Sequence, residues 1–281
     1  MEKDPKLRAL LALLVWAVVG FEAIAEEVDA NGIRSHRVES VFQGSEAMVR
    51  VMLPDDYNAN DRYRVLYVLP VVAKDDRRFG DGLLEVKKYN LHNTHRLICV
   101  APEFTEMSWF ADHASNPALR DESHFLNVVL PLVDGSYATI ARQEGRLLVG
   151  FSKSGWGAFS LLLRNPDLFH RATGWDTGIR VDTGPIEESD RQDRIDRIWG
   201  TRANFERYRL SSLIKTRGKV LGEKARIFYF NTGGRREEGG AIFHQLMVEQ
   251  EIPHRYVFEP KIPHRWDSGW IPQAIEFLVG E

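Results

Sequence analysis

Short apolar runs, each bounded by polar or turn-forming residues, recur along the chain. They are rich in Val, Ile, Leu, Phe and Tyr, and their length and composition are typical of buried strands. The segments between them have the periodicity of helices. The pattern predicts strands at 48–53, 65–72, 97–101, 147–151, 226–230 and 256–258, and helices at 122–133, 156–164, 240–250 and 270–279.

Strands that alternate with helices favour β–α–β units and a parallel sheet. We therefore predict the α/β class, with a mostly parallel central sheet and helices on both faces. The segments 36–42 and 47–53 are separated by a short Gln43-Gly44-Ser45 turn. This pair predicts an antiparallel hairpin at the sheet edge, before the parallel part begins.

The segment 180–224 departs from this alternation. It is dense in charge, contains Gly184-Pro185 and Gly200, and shows only short periodic stretches such as 195–199. Long segments without strands that interrupt a compact domain are often functional. We interpret it as a cap-like insertion, and a plain surface excursion is the alternative.

Composition narrows the class of protein further. The chain has 281 residues, of which 43% are hydrophobic, enough for one substantial core. The formal net charge is −3, so no strongly basic face is indicated and nucleic acid is not an expected partner. The nine histidines show no metal-site spacing, and no metal is expected. Cys99, the single cysteine, is predicted to be a packed strand residue.

The first 25 residues have the three parts of a secretory signal peptide. Lys3, Lys6 and Arg8 form a basic region, an apolar run follows, and an A-x-A site ends at Ala25. Glu22 interrupts the apolar run before it reaches the length of a membrane span. The sequence predicts export to the periplasm or the extracellular space, without stable membrane insertion after cleavage, and a single domain over 26–281.

Residues 148–158 (LVGFSKSGWGA) contain the most informative motif. An apolar strand runs into Ser152 on a tight turn, and a helix follows at once, which is the context of a nucleophile elbow. Gly150 and Ser154, two positions before and after the serine, are small enough for the sharp turn. The N-terminus of the new helix suits a developing oxyanion. A Gly/Ser-rich connecting loop is the alternative interpretation.

A serine hydroxyl needs a base, and in α/β-hydrolases the histidine comes last in the chain. His264 lies after the last predicted strand and before the last helix, in the expected place. His254 precedes that strand and His244 lies within a predicted helix, so we expect both to be structural or surface residues.

Four segments together resemble the putative esterase family of α/β-hydrolases, which includes S-formylglutathione hydrolases, feruloyl and acetylxylan esterases, enterochelin esterases and mycolyltransferases. Residues 150–158 (GFSKSGWGA) resemble its G-H-S-M-G-G-x-G-A elbow, and His264 with Trp266 and Trp270 resembles its H-x-W-x-x-W ending. The segments 51–69 and 108–112 (SWFAD) are similar to its opening and to its S-W-Y-x-D stretch. The resemblance runs from about residue 36 to the end.

This resemblance implies an α/β-hydrolase fold with Ser152 as nucleophile and His264 as base. The family usually has His-Gly after the third strand, where a backbone N–H completes the oxyanion hole. Here that stretch is Leu69-Pro70-Val71-Val72. Pro70 has no N–H, so the N–H of Val71 or Val72 would act together with that of Lys153.

The acid of the triad is left open by the sequence. The family places it in a turn after the strand at 227–230, where Glu237 is the candidate. The alternative is Asp176, at the end of the strand after the elbow helix, because the carboxyl ends of parallel strands share one rim of the sheet. Glu238, or no acid at all, is a third possibility.

Several further residues are candidates for the substrate pocket. Trp109 and Asp112 belong to a family segment near the active-site rim, and Trp156 flanks the elbow. For each tryptophan, packing in the core is an equal alternative. Lys153 would either attract an anionic substrate or be solvated at the pocket mouth, and the sequence favours the second.

The function predicted from these residues is that of a serine hydrolase which cleaves a carboxylic ester through an acyl-enzyme. By analogy with exported members of the family, the substrate would be a small-molecule or glycan ester. No cofactor is expected, and the oligomeric state is not indicated. An acyltransferase of the same fold and a non-catalytic binding protein are the alternatives.

Overall fold

The computed structural model describes residues 27–73, 77–106, 108–183, 187–234 and 237–280. The predicted signal peptide lies outside these residues. Within them, no helix is long and apolar enough to cross a membrane.

The described residues form one nine-stranded sheet in the order β1-β2-β3-β5-β4-β6-β7-β8-β9. The strands are β1 (Glu27–Val28), β2 (Arg34–Val38), β3 (Ala47–Met52), β4 (Arg64–Val68), β5 (Leu97–Pro102), β6 (Arg146–Phe151), β7 (Arg171–Trp175), β8 (Ile227–Asn231) and β9 (His254–Phe258). β1 pairs with β2, β2 with β3, and β3 with β5, and all three pairings are antiparallel. From β5 onward every pairing is parallel.

Helices cover both faces of this sheet. They are α1 (Gly82–Lys88), α2 (Leu91–Thr94), α3 (Asp121–His124), α4 (Leu130–Ser136), α5 (Lys153–Arg164), α6 (Glu188–Trp199), α7 (Arg202–Tyr208), α8 (Leu210–Arg217), α9 (Glu237–Glu249) and α10 (Ile271–Val279). A π-helical turn, Phe125–Val129, joins α3 to α4, so the helix predicted at 122–133 is a continuous but locally widened one.

Consecutive residues of the central strands point to opposite faces, which produces two apolar cores. On β4, Val65 and Tyr67 belong to the core beneath α5 and α9, whereas Leu66 and Val68 belong to the core beneath α1 and α10. Because both faces are buried, the strands read as unbroken apolar runs. Cys99 is fully buried in β5, as predicted, and burial raises the pKa of its thiol.

The edge hairpin is present, but its strands are joined by a longer loop than predicted. β2 ends at Val38, and Gln43 is 3% exposed because its side chain turns inward. The Gln43 amide donates to Asp121 at 3.0 Å and accepts from the Thr105 N–H at 3.0 Å. These tertiary hydrogen bonds hold Gln43 in the loop, and the strand therefore ends before the residues that the local pattern predicted to be extended.

The described part of the insertion at 180–224 folds mainly as the three helices α6, α7 and α8. Ile195 and Trp199 on α6 and Phe205 on α7 are fully buried. Trp199 packs against Trp109 and Trp156, with ring centroids 5.5 and 6.3 Å apart. The insertion therefore shares the main core and lies over the end of the sheet where β6 meets α5.

Candidate active site

Ser152 lies in the turn between β6 and α5, in a conformation that few residues other than glycine adopt. Its φ is 54° and its ψ is −125°. Two backbone hydrogen bonds fix this turn: the Ser152 N–H donates to the Trp175 carbonyl at 2.9 Å, and the Gly178 N–H donates to the Ser152 carbonyl at 2.8 Å. The strained serine is thus held by the loop that follows β7.

Small residues on either side make the elbow possible. A Cβ on Gly150 would stand 2.2 Å from the Ser154 carbonyl oxygen, which no side chain can tolerate. Ser154 is fully buried, and its hydroxyl donates to the Phe151 carbonyl at 2.9 Å and accepts from the Phe151 N–H at 3.0 Å. The serine in place of the family's glycine therefore adds two hydrogen bonds across the elbow.

We expect Gly150→Ala to lower the free energy of unfolding by about 1–3 kcal/mol or more, because the added methyl overpacks the turn. The matched control is Gly135→Ala on α4, where an added Cβ meets nothing within 4 Å. That change should be neutral or slightly stabilising. Urea unfolding of both variants is the measurement, and equal stabilities would contradict the steric argument.

His264 is joined to Asp176 by a short contact between its Nδ1 and the Asp176 Oδ2. Asp176 follows β7, with a φ of 42°, and its N–H donates to the Phe230 carbonyl at 2.9 Å. Its side chain is 1% exposed, whereas that of His264 is 24% exposed. A buried carboxylate on Nδ1 leaves Nε2 of the imidazole to face the cavity.

Aromatic rings enclose the other sides of this imidazole. Phe151, Phe79 and Trp175 lie with ring centroids 4.7, 5.6 and 5.8 Å from that of His264. Trp266 and Trp270 stack on each other at 5.5 Å and pack against Phe151 and Trp175. The tryptophans of the C-terminal motif are therefore 4% and 2% exposed core residues that fix the loop carrying His264.

The other two candidate acids do not contact the histidine. Glu237 is exposed at the start of α9, and its Oε2 accepts from the Gly234 N–H at 3.3 Å. Glu238 is exposed on the same helix turn. Of the carboxylates that the sequence left open, Asp176 is the one that the structure places against His264.

Ser152 and His264 line one cavity of about 520 Å³. Val71, Val72, Trp109 and Lys153 also line it. In the described part of the chain no hydrogen bond joins the Ser152 hydroxyl to His264, a contact that often tightens only when substrate is bound. The cavity therefore brings together the predicted nucleophile, the base and the backbone groups predicted to hold an oxyanion.

Asp112 and Trp156 do not line this cavity. The Asp112 carboxylate accepts from the Ser123 N–H at 2.9 Å and from the Ser123 hydroxyl, on the side of the domain where Glu122 and Arg164 meet. Trp156 is fully buried and packs on Trp109. Asp112 is therefore a structural acceptor, and Trp156 contributes to the core, the alternative that the sequence left equal for each tryptophan.

Lys153 is not solvated at the mouth, contrary to the interpretation that the sequence favoured. Its Nζ is buried and has no hydrogen-bond partner among the residues that the structure describes. Burial, together with the repulsion of Arg78, lowers the pKa of Lys153 to about 8. The physical reason is that the side chain lies in the cavity, which Arg194, Arg197 and Ile198 of the insertion also line.

Arg194 and Arg197 are site residues that sequence reasoning missed. Both lie on α6, are exposed, and reach the cavity that holds Ser152. One signal could have found them: arginines recur every third residue at 191, 194 and 197, which places them along one face of a helix.

The sheet order, the serine elbow after β6 and the acid–histidine contact define an α/β-hydrolase, as predicted. The model of the putative esterase family matches residues 101–227, which confirms the resemblance found in the sequence motifs.

Known proteins resemble this chain in sequence and in fold. An esterase of Mycobacterium tuberculosis is 28% identical over 127 residues, which cover 44% of this chain and 27% of that protein. The chain thus matches about a quarter of the length of this curated relative. A ferulic acid esterase has a TM-score of 0.70 at 18% identity, covering 88% of this chain and 97% of the other. An S-formylglutathione hydrolase from Agrobacterium tumefaciens has a TM-score of 0.71 at 15% identity, covering 92% of this chain and 98% of the other.

Proposed function

We propose that this protein cleaves a carboxylic ester through an acyl-enzyme, with Ser152 as nucleophile, His264 as general base and Asp176 as the group that orients the imidazole. The observation that carries the proposal is the His264–Asp176 contact beside a strained serine that faces the same cavity. The family match over residues 101–227 supports ester hydrolysis as the reaction class.

The proposed mechanism assigns a named group to each step. The Ser152 hydroxyl attacks the ester carbonyl while Nε2 of His264 takes its proton, and the Asp176 carboxylate stabilises the resulting imidazolium. The oxyanion is received by the N–H of Lys153 at the start of α5 and by that of Val71 or Val72. His264 then protonates the departing alcohol. In the second half, water loses a proton to His264 and attacks the acyl carbon. The bond to the Ser152 oxygen then breaks, His264 returns the proton to that oxygen, and the carboxylic acid leaves.

The alcohol part of the substrate is proposed by analogy. The cavity of about 520 Å³ is large enough for a small acyl group and part of a sugar. One relative in fold is a ferulic acid esterase, which supports acyl esters of glycans as the first substrates to test. Export by way of residues 1–25 remains a proposal from the sequence, and it agrees with a substrate outside the cytoplasm.

A fluorophosphonate probe tests the activated serine directly. We expect the wild-type protein to be labelled at Ser152 and a Ser152→Ala variant to remain unlabelled, with the modified residue read by mass spectrometry. Ser115→Ala, which removes an exposed serine outside the cavity, is the matched control and should label as wild type does. An unlabelled but folded wild-type protein would favour the binding-protein alternative.

A further inference from the structure

The cavity around Ser152 is lined by cationic side chains. The described residues that line it include five of them and no carboxylate: Arg78, Lys153, Arg180, Arg194 and Arg197. Since the whole chain has a formal net charge of −3, this density of positive charge is a local feature and does not reflect the composition. A cleft lined by one sign of charge concentrates ligands of the opposite sign.

Lys153 directly follows the proposed nucleophile in the chain and lines the same cavity. Within the described part of the chain its Nζ is buried without a hydrogen-bond partner, although an ammonium group is costly to desolvate. The repulsion of Arg78 adds to this cost and helps to lower its pKa to about 8. An anionic group bound in the cavity would supply both the missing acceptor and the compensating charge.

Two arginines of α6 line the same cavity as Lys153. Arg194 and Arg197 make no ion pair with a described residue, and both are exposed. The carboxylate of Asp176 is buried and contacts Nδ1 of His264. The positive charge on this wall therefore remains available to a ligand.

We infer that the substrate carries an anionic group, a carboxylate or a phosphate, within a few bonds of the ester that Ser152 attacks. This inference rests on the proposed function and narrows its substrate class. The anionic group belongs to either the acyl or the alcohol part, and both positions bring it within reach of Lys153 and the α6 arginines. Guanidinium groups bind either anion through paired hydrogen bonds.

The test compares matched esters. On the acyl side, the 4-nitrophenyl monoester of fumarate, whose trans double bond keeps the carboxylate from attacking its own ester, is compared with 4-nitrophenyl crotonate. On the alcohol side, 3-carboxy-4-nitrophenyl acetate is compared with 4-nitrophenyl acetate. We expect kcat/KM in at least one pair to favour the charged ester by about 10- to 1000-fold at low salt, with a preference that falls as salt is added. Which pair responds identifies the part that carries the charge.

Variants then locate the preference. In Lys153→Met, and separately in Arg194→Gln combined with Arg197→Gln, the ratio of the two kcat/KM values should fall by about tenfold or more. The matched control is Lys215→Gln, which removes an exposed charge from α8 outside the cavity and should leave the ratio unchanged. Since the ratio is taken within one variant, a general loss of turnover does not affect it.

The pH dependence of the same ratio is an independent readout. The free enzyme loses the Lys153 charge as pH rises through about 8, so the preference for the charged ester should fall between pH 7 and 9. His264 acts on both esters alike, so its contribution cancels in the ratio. The other charged groups that line the cavity are the guanidinium groups of Arg78, Arg180, Arg194 and Arg197, and a guanidinium keeps its charge throughout this pH range. In Lys153→Arg the ratio should no longer depend on pH.

Two outcomes would overturn the inference, and they are distinguishable. If the neutral esters are hydrolysed and neither charged ester is preferred, the anionic specificity is wrong while the proposed function stands. If no ester is hydrolysed and the fluorophosphonate leaves Ser152 unmodified, the proposed function fails and the specificity fails with it.

Discussion

Replacement of Asp176 by asparagine is expected to reduce kcat about 10⁴-fold, while Glu237→Gln leaves it within about twofold. An asparagine has the size of the aspartate but no negative charge, so it neither stabilises the imidazolium nor holds the imidazole in the required tautomer. The side chain of Asp176 is 1% exposed and contacts Nδ1 of His264. Ester turnover at saturating substrate is the measurement.

Glu237 is the appropriate control because the sequence alone favoured it slightly over Asp176. It is exposed, and its carboxylate bonds to the Gly234 N–H at the start of α9. Circular dichroism of both variants checks that the fold is kept. A large loss in Glu237→Gln, or an Asp176→Asn variant that keeps more than a tenth of the activity, would contradict the assignment of the acid.

The second large effect concerns stability. We expect Asp182→Ala to lower the free energy of unfolding by about 2–3 kcal/mol, because it removes a fully buried carboxylate and leaves the N–H and hydroxyl of Ser211 without their acceptor. The Asp182 side chain is fully buried and accepts from Nε of Arg209 at 2.6 Å, and from the N–H and hydroxyl of Ser211 at 2.7 and 2.6 Å. Urea unfolding is the measurement.

The position of Asp182 between the cavity wall and α8 explains its large expected contribution to stability. It follows the 3₁₀ turn Ile179–Val181, which lines the cavity, and it satisfies an N–H in the first turn of α8. Glu206→Gln is the control, since Glu206 pairs with the same Arg209 but is 40% exposed. That change should cost under about 1 kcal/mol. Similar losses in both variants would show that burial is not the decisive factor.

The fold and two members of the candidate triad could be predicted because their signals are local. The apolar run, Gly150 and the helix after Ser152 lie within one short segment, and His264 follows the last strand. The acid could not be chosen from the sequence. The choice depends on whether the segment after β7 or the segment after β8 carries its carboxylate to the histidine. After β8 the chain turns away into α9, whereas Asp176 adopts a positive φ at the end of β7 and stays at the rim.

The positive charge of the cavity could not be predicted from the sequence. Whether Lys153 points to solvent or into the cavity depends on the position of the insertion, which no local pattern specifies. Arg194 and Arg197 reach the site only because Trp199 anchors α6 against Trp109 and Trp156. Such contacts join segments far apart in the chain, and a single sequence contains no measure of them.

The order in which the strands carry the reactive groups has a consequence for biosynthesis. Ser152 follows β6, Asp176 follows β7, and His264 follows β9, the last strand of the sheet. During translation Ser152 emerges long before His264, so the proposed nucleophile would gain its proposed base only when β9 pairs with β8. Until that moment the nascent chain would carry an ordinary hydroxyl, and the onset of reactivity would mark the completion of the sheet.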